Sequence, residues 1–323
     1  QAKFLQDEYE NQKYYCSGFA ELSLPMPVTL SWKNWDGAKG AEKYIVLISE
    51  NSDFSEPRAF KSETDELQIY NLKIGTEYFW RVTAEVGEEQ KESEISSFVT
   101  SDAIIRNIYV DGVTNVRDLG GYSAGNGRKV RQGMMYRGSM LQTNRQGVTT
   151  IAITDAGIET MLNELSIKTE IDVRLKDTEY EGFEMSALGE NVNYYELPMA
   201  FDGDLIELNA EALTEFFAIL ADEENYPIYF HCRIGTDRTG FLSFIINGML
   251  GVDEDSLYRD YLFSNFGYIS TGRYLERLTK SDYMKTIQAA EGDSLGEKIR
   301  NSLIAVGVSA DNLDSMIRIM TEN

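Results

Sequence analysis

Residues 226–250 read Tyr-Pro-Ile-Tyr-Phe-His-Cys-Arg-Ile-Gly-Thr-Asp-Arg-Thr-Gly-Phe-Leu-Ser-Phe-Ile-Ile-Asn-Gly-Met-Leu. An apolar strand runs into Cys232, a short loop follows, and an apolar helix begins at Thr239. That order sets a thiol beneath the unpaired amides of a helix N-terminus, where the dipole favours both a thiolate and a phosphate. Thiol pKa values fall to ~3.5–7.5 in such places, so Cys232 is expected to be ionised and nucleophilic at neutral pH. Arg238 closes the loop after five intervening residues, and its planar guanidinium can grip two phosphate oxygens at once. Thr239 can donate to the sulfur, and Gly235 permits a turn that a side chain would obstruct. His231, Arg233, Ile234 and Thr236 complete the candidate phosphate-binding loop. An inert cysteine at a strand end is the plainer reading of Cys232. The coincidence of His231, Cys232, Gly235, Arg238 and Thr239-Gly240 with a strand–loop–helix context outweighs it.

The elements that must carry this loop follow from periodicity. Helical spacing of apolar residues marks Asp155–Leu165 behind the cap Thr154, then Asn209–Ala221, Thr239–Leu250, Ser256–Phe263, Leu295–Ile304 and Asn312–Met320. Strands are indicated at Lys168–Arg174 and Tyr226–His231. Strands alternating with helices predict a layered α/β domain over residues 102–323. Residues 1–101 read instead as an N-terminal extension and an all-β module. Tyr44, Val46 and Ile48 alternate along one strand, as do Tyr78, Trp80, Val82, Ala84 and Val86 along another. Polar turns at Asn34–Gly40, Asn51–Pro57 and Lys61–Glu66 separate them, as in a sandwich of about seven strands. The fold class is therefore multidomain: a β-sandwich followed by an α/β domain.

Composition removes whole classes of function. The 323 residues include 30 basic and 53 acidic side chains, a net charge of −23 that repels nucleic acid and anionic membrane surfaces. The longest apolar stretch, Phe241–Val252, is too short for a membrane span of ~20 residues. One histidine and two cysteines cannot form an ordinary Cys/His structural zinc site, and the only possible disulfide would join Cys16 to Cys232. The chain begins at Gln1, so a mature or trimmed form, its signal peptide removed, is the expectation.

Two resemblances sharpen these readings. Trp32, with Leu72-Lys-Ile-Gly75-Thr-Glu-Tyr78-Phe-Trp80-Arg-Val82-Thr-Ala84, resembles the fibronectin type III family over residues 15–100. That likeness implies a tyrosine corner at Tyr78 and a core filled by Trp32. The loop at Cys232 looks like that of the cysteine-dependent protein tyrosine phosphatase superfamily. Asn115-Val-Arg117-Asp118-Leu-Gly120-Gly121, Tyr136-Arg137-Gly-Ser139, Ile171-Asp172-Val-Arg174 with Glu179, Glu196-Leu-Pro198, Asp260-Tyr-Leu-Phe-Ser264-Asn265 and Ala305-Val-Gly307-Val-Ser309 follow in order. The succession is similar to the atypical bacterial tyrosine/serine phosphatases, over residues 107–323. It implies a bacterial, secreted or cell-surface enzyme that needs no cofactor and acts through a phosphocysteine. It also implies that His231 orders the loop.

For the general acid, the resembled family points to Asp237, just before the arginine. Asp202, about thirty residues ahead of the cysteine, matches the position used by many tyrosine phosphatases. Proximity to thiolate and phosphate should keep Asp237 protonated, so it is the expected acid, with Asp202 assisting or contacting substrate. Asn115, Arg117 and Asp118 are expected to tie a loop to the domain floor, and Arg137, Arg174 and Glu179 to form supporting ion pairs. Thr236 stands where the family usually has lysine. Phosphotyrosine proteins are thus the expected substrate, with phosphoinositides or inositol phosphates as the alternative. A silent phosphate-binding or adhesion protein is the reading outside enzymology. The β-module, with a protein or carbohydrate partner, should serve positioning or attachment, so a chain starting near Ile104 should keep its activity.

Overall fold

The computed structural model describes residues 20–33, 38, 41, 43–102, 105–145, 148–176, 178–269 and 271–323. Cys16, Ile104 and most of the expected Asn34–Gly40 turn lie outside them. The chain forms two compact units, Pro25–Arg106 and Asn107–Asn323, and residues 20–24 belong with the second.

The first unit is all β. Strands β1 (Val28–Ser31) and β4 (Glu66–Ile69) pair antiparallel in one sheet. In the other, β3 (Arg58–Ser62), β2 (Lys43–Ser49), β5 (Glu77–Val86) and β6 (Glu89–Glu92) lie side by side, and β7 (Ser96–Val99) also pairs with β5. The period-2 pattern has its expected cause: Tyr44, Val46 and Ile48 of β2 point into a core shared with Leu30, Trp32, Tyr78 and Val82. Trp32 stacks edge-on against Tyr44, with ring centroids 5.3 Å apart. The Tyr78 hydroxyl accepts the Lys73 amide at 2.9 Å, folding the chain back on itself at the start of β5. The buried Arg106 guanidinium donates to the carbonyls of Asn71 and Leu72 at 2.6 and 3.1 Å. Those bonds hold Arg106, the last residue of this unit, on the β sandwich.

The second unit is built on a five-stranded sheet in the order β14-β13-β15-β10-β8. It comprises β8 (Arg117–Asp118), β10 (Met135–Gly138), β13 (Thr169–Asp172), β14 (Asn193–Glu196) and β15 (Ile228–His231), all parallel except β8. The short β9 (Lys129–Val130) pairs with β16 (Thr321–Glu322), and β11 (Gln142–Arg145) with β12 (Val148–Ile151). Helices α1 (Asp155–Glu159), α2 (Ala210–Leu220), α3 (Asp237–Met249), α4 (Glu254–Phe263), α7 (Leu295–Ala305) and α8 (Ala310–Met320) stand where the periodicity places them. The Thr154 hydroxyl caps α1 at the Gly157 amide, and α1 runs on as a π turn over Thr160–Glu164. Two short helices, α5 (Leu275–Thr279) and α6 (Asp282–Ala289), were not apparent from the periodicity. Central strand β15 is buried throughout, and every residue of α3 after Asp237 is buried too. Parallel strands fed by buried helices place a crevice at their carboxyl ends, and β15 delivers Cys232 there. Among the described residues no helix is long and apolar enough to cross a membrane.

Candidate active site

The loop from Cys232 to Arg238 wraps the N-terminus of α3. Gly235 has φ +67°, and a Cβ there would lie 2.5 Å from the Gly138 carbonyl, so only glycine fits. The Cys232 side chain is 3% exposed. Burial alone would push its thiol up. The Arg238 guanidinium, the Thr239 hydroxyl and amide and the Thr236 amide outweigh burial, and the thiol lies below its ordinary value. The Thr239 hydroxyl also accepts the Cys232 amide at 2.9 Å.

Arg238 is held from behind. Its Nη1 and Nη2 donate to the two oxygens of Glu179 at 2.6 and 2.8 Å, and Nη1 also reaches the carbonyls of Val173 and Met199 at 3.3 Å. Its buried Nε has no hydrogen-bond partner among the described residues. A buried donor left open in this way is available to an incoming oxyanion. Glu179 is therefore a supporting carboxylate, paired with Arg238, while Arg174 forks onto Asp172 and donates to the Gln142 carbonyl.

His231 lies fully buried between two carboxylates. Its Nε2 is 2.8 Å from Glu170 Oε1, and its Nδ1 is 3.1 Å from the Cys232 carbonyl and 3.9 Å from Asp172. A carbonyl and a carboxylate can only accept, so both ring nitrogens carry protons. Burial disfavours that cation, but Asp172 and Glu170 overcome it and raise the imidazole above its ordinary value.

Beneath the loop runs a buried polar girder. Asn115 Nδ2 donates to the Gly235 carbonyl at 2.8 Å, and Arg137 Nη2 donates to the same oxygen at 2.8 Å. Asp260 bridges Arg117 and Arg137 at 3.0 and 2.7 Å. Burial, reinforced by Arg117 alongside, pushes Arg137 down to about 10. Arg117 thus pairs with Asp260, and Asp118 instead accepts the amides of Gly120 and Gly133. Asn115 braces the Cys232–Arg238 loop itself and Arg117 braces Asn115, a more specific task than tying a loop to the floor.

The two acid candidates face one cavity of about 330 Å³, lined by Phe201, Asp202, Asp237, Tyr261, Arg277 and Lys280 among others. Its wall reaches the loop at Asp237 and not at Cys232, so it is a vestibule beside the phosphate pocket. Both oxygens of Asp237 are engaged by Arg273, with Arg277 3.5 Å away. Asp237 is therefore an acceptor in this arrangement, which the expectation of a retained proton did not foresee. Asp202 is exposed and has no side-chain partner among the described residues. Phe201, 54% exposed, lies with its ring centroid 5.5 Å from the Arg238 guanidinium carbon. The Thr236 side chain is fully buried and offers no side-chain group at the surface, whereas Arg233 is exposed.

The chain resembles known proteins at the level of family. A family model described as "Tyrosine phosphatase family" matches residues 108–323. A Cupriavidus necator protein with the provisional name tyrosine-protein phosphatase is 27% identical over 180 residues, covering 48% of this chain and 62% of its own length. The chain thus spans less than two thirds of that relative. Among solved structures, the catalytic core of the Saccharomyces cerevisiae PP-IP phosphatase Siw14, bound to citrate, is 18% identical with a TM-score of 0.31, over 54% of this chain and 85% of that one. A fibronectin type III domain from a human protein is 21% identical with a TM-score of 0.20, over 29% of this chain and 83% of that domain.

Proposed function

The chain belongs to the tyrosine phosphatase family, and we propose that it hydrolyses phosphomonoesters in which a second anionic group flanks the scissile phosphate. The Cys232 thiolate attacks phosphorus in line, forming an S–P bond as the P–O ester bond breaks. The Arg238 Nε and the loop amides hold the equatorial oxygens, while Glu179 aligns Arg238 from behind. Asp202 gives its proton to the leaving oxygen and then takes one from the water that breaks the S–P bond, releasing phosphate and restoring the thiolate. Asp237, clamped by Arg273, serves as a brace.

For substrate we favour an inositol phosphate or a phosphoinositide headgroup. The observation that carries this is the pair Arg277 and Lys280 on the vestibule wall. Lys280 has no carboxylate partner among the described residues of a chain with net charge −23. Arg277 also faces Asp237, and Asp202 and Asp282 share the wall, so Lys280 is the cation left to meet a second phosphate, which Thr236 cannot supply. Phosphotyrosine is the second reading, favoured by the exposed ring of Phe201 beside Arg238. Comparing kcat/KM on inositol phosphates, phosphoinositides and phosphotyrosine peptides, with Cys232→Ser as blank, decides between them. A higher value on any phosphotyrosine peptide overturns the first reading.

The β unit we read as fibronectin type III-like, supported by Trp32 in its core and the Tyr78–Lys73 corner. Hydrogen exchange showing an unprotected Lys73 amide would refute the corner on which this reading rests.

A further inference from the structure

We infer that Glu21, which precedes the β unit in the chain, is a positioning residue of the active site and acts on the phosphate loop through Asn115. The inference rests on the phosphatase reading of that loop. Glu21 Oε2 accepts the backbone amides of Asn115 and Tyr268, each at 3.2 Å. Its Oε1 accepts the Ser23 amide at 2.7 Å and the Ser23 hydroxyl. The Leu22 amide donates to the Phe266 carbonyl at 2.7 Å, and Ser23 is buried. Residues 21–23 therefore form a strap across two segments, one of which, at Asn115, bonds the loop.

Asn115 is the one that matters. It has φ +59°, a left-handed conformation that a residue with a side chain keeps only when its surroundings enforce it. Glu21 fixes its amide, Arg117 donates to its Oδ1, and Gly267 lies so close that a Cβ there would sit 3.0 Å from the Asn115 Cβ. Held in this way, Asn115 Nδ2 reaches the carbonyls of Gly235 and, at 3.4 Å, Ile234. In a planar trans peptide the carbonyl and the following N–H point in opposite directions. Anchoring the Gly235 carbonyl on the floor therefore turns the Thr236 N–H the other way, and that amide is one of the groups that stabilise the Cys232 thiolate. The line of action runs from the Glu21 carboxylate to the Asn115 amide, then from its side chain to the Gly235 carbonyl and the Thr236 N–H. A chain starting near Ile104, expected from sequence to keep its activity, would lack the first link.

The test uses the full chain in a Cys16→Ser background, so that only Cys232 is titrated. Two quantities are read for Glu21→Ala and Glu21→Gln: kcat on a small aryl phosphate, and the pH midpoint of Cys232 alkylation by iodoacetate. The other charged groups around the thiol, Arg238, Glu179, Arg137, His231, Glu170 and Asp172, and the neutral phenol of Tyr229 are unchanged in both variants. Glu21→Ala is expected to lower kcat roughly tenfold and move the alkylation midpoint upward, with Glu21→Gln intermediate. A merely structural strap would lower the melting temperature and leave the midpoint alone. An unmoved midpoint with unchanged kcat overturns the inference. If Glu21→Ala does not fold by circular dichroism, the midpoint of Glu21→Gln decides, an unmoved value again overturning the inference. A wild type that hydrolyses no ester, yet shows the midpoint shift between variants, would refute the phosphatase reading and leave the positioning role standing.

Discussion

Arg273 grips both carboxylate oxygens of Asp237, Nε on Oδ1 and Nη2 on Oδ2, each at 2.8 Å. Asn265 in turn clamps the Arg273 backbone, donating to its carbonyl at 2.9 Å and accepting its amide at 2.6 Å. The start of α3 is thereby fixed to a segment far along the chain, through the side chain whose position in the sequence suggests a proton donor.

If Asp237 braces and Asp202 donates, the two replacements separate by leaving group. Asp202→Asn should lower kcat about 10²-fold on an alkyl phosphate, whose alkoxide needs a proton, and far less on p-nitrophenyl phosphate. Asp237→Asn should affect both substrates alike and lower the melting temperature. Leaving-group dependence in Asp237→Asn alone would return the acid role to that residue.

The thiol and its neighbouring imidazole give opposite signs with pH. The Cys232 value is depressed, so the reactive thiolate persists above the folded-state value, while the stability linked to it is complete only above the ordinary thiol value of about 8.5 and is lost as pH falls through the folded-state value. The His231 value is raised, so its stabilisation is complete below about 6.5 and is lost as pH rises through the folded-state value. Glu170→Gln removes a carboxylate that holds the proton on His231: loss of that cation should raise the pH midpoint of Cys232 alkylation, whereas a retained cation should lower it, one negative charge having been removed. No change in that titration would show that the cation on His231 does not reach the sulfur.

Arg277→Ala with Lys280→Ala should lower kcat/KM about tenfold or more on an inositol polyphosphate, and by less than twofold on a phosphotyrosine peptide. Phe201→Ala should do the reverse, because it removes the ring that an aryl group would meet. Equal losses on both substrates in both variants would show that the vestibule does not discriminate between them.

In the β unit, Tyr78→Phe deprives the Lys73 amide of its acceptor. It should destabilise that unit by about 1–2 kcal/mol, read as a lower midpoint in urea, with kcat on an aryl phosphate unchanged. A fall in kcat would mean that the corner supports the site.

Cys232, Arg238, Gly235 and the buried helix α3 were legible because all of them belong to one contiguous stretch, where spacing alone fixes geometry. The partners that give these residues their roles were not. Arg273 and Arg277 meet Asp237 from 36 and 40 positions away, on or beside α5, a five-residue helix in which Leu278 is the only buried residue. So short and polar an element leaves no apolar periodicity to read. Arg117 stands next to Asp118 in the chain yet pairs with Asp260, because β8 directs the two side chains to opposite faces. The β pattern of the first hundred residues was plain, but nothing in its alternation tells that residues 20–24 pack with the other unit.

That last arrangement has a consequence for the growing polypeptide. Glu21 and its partner Tyr268 are 247 positions apart, so the strap cannot close until most of the second unit has been synthesised. At about 5–20 residues per second, the wait is on the order of tens of seconds. The β unit, complete at Arg106, can fold meanwhile and separates the waiting segment from the part still being made. Contacts of such long sequence separation are also the slowest to form once the chain is free. Along this seam the order of synthesis and the order of assembly run opposite ways: the first described residues of the chain are among the last to find their partners.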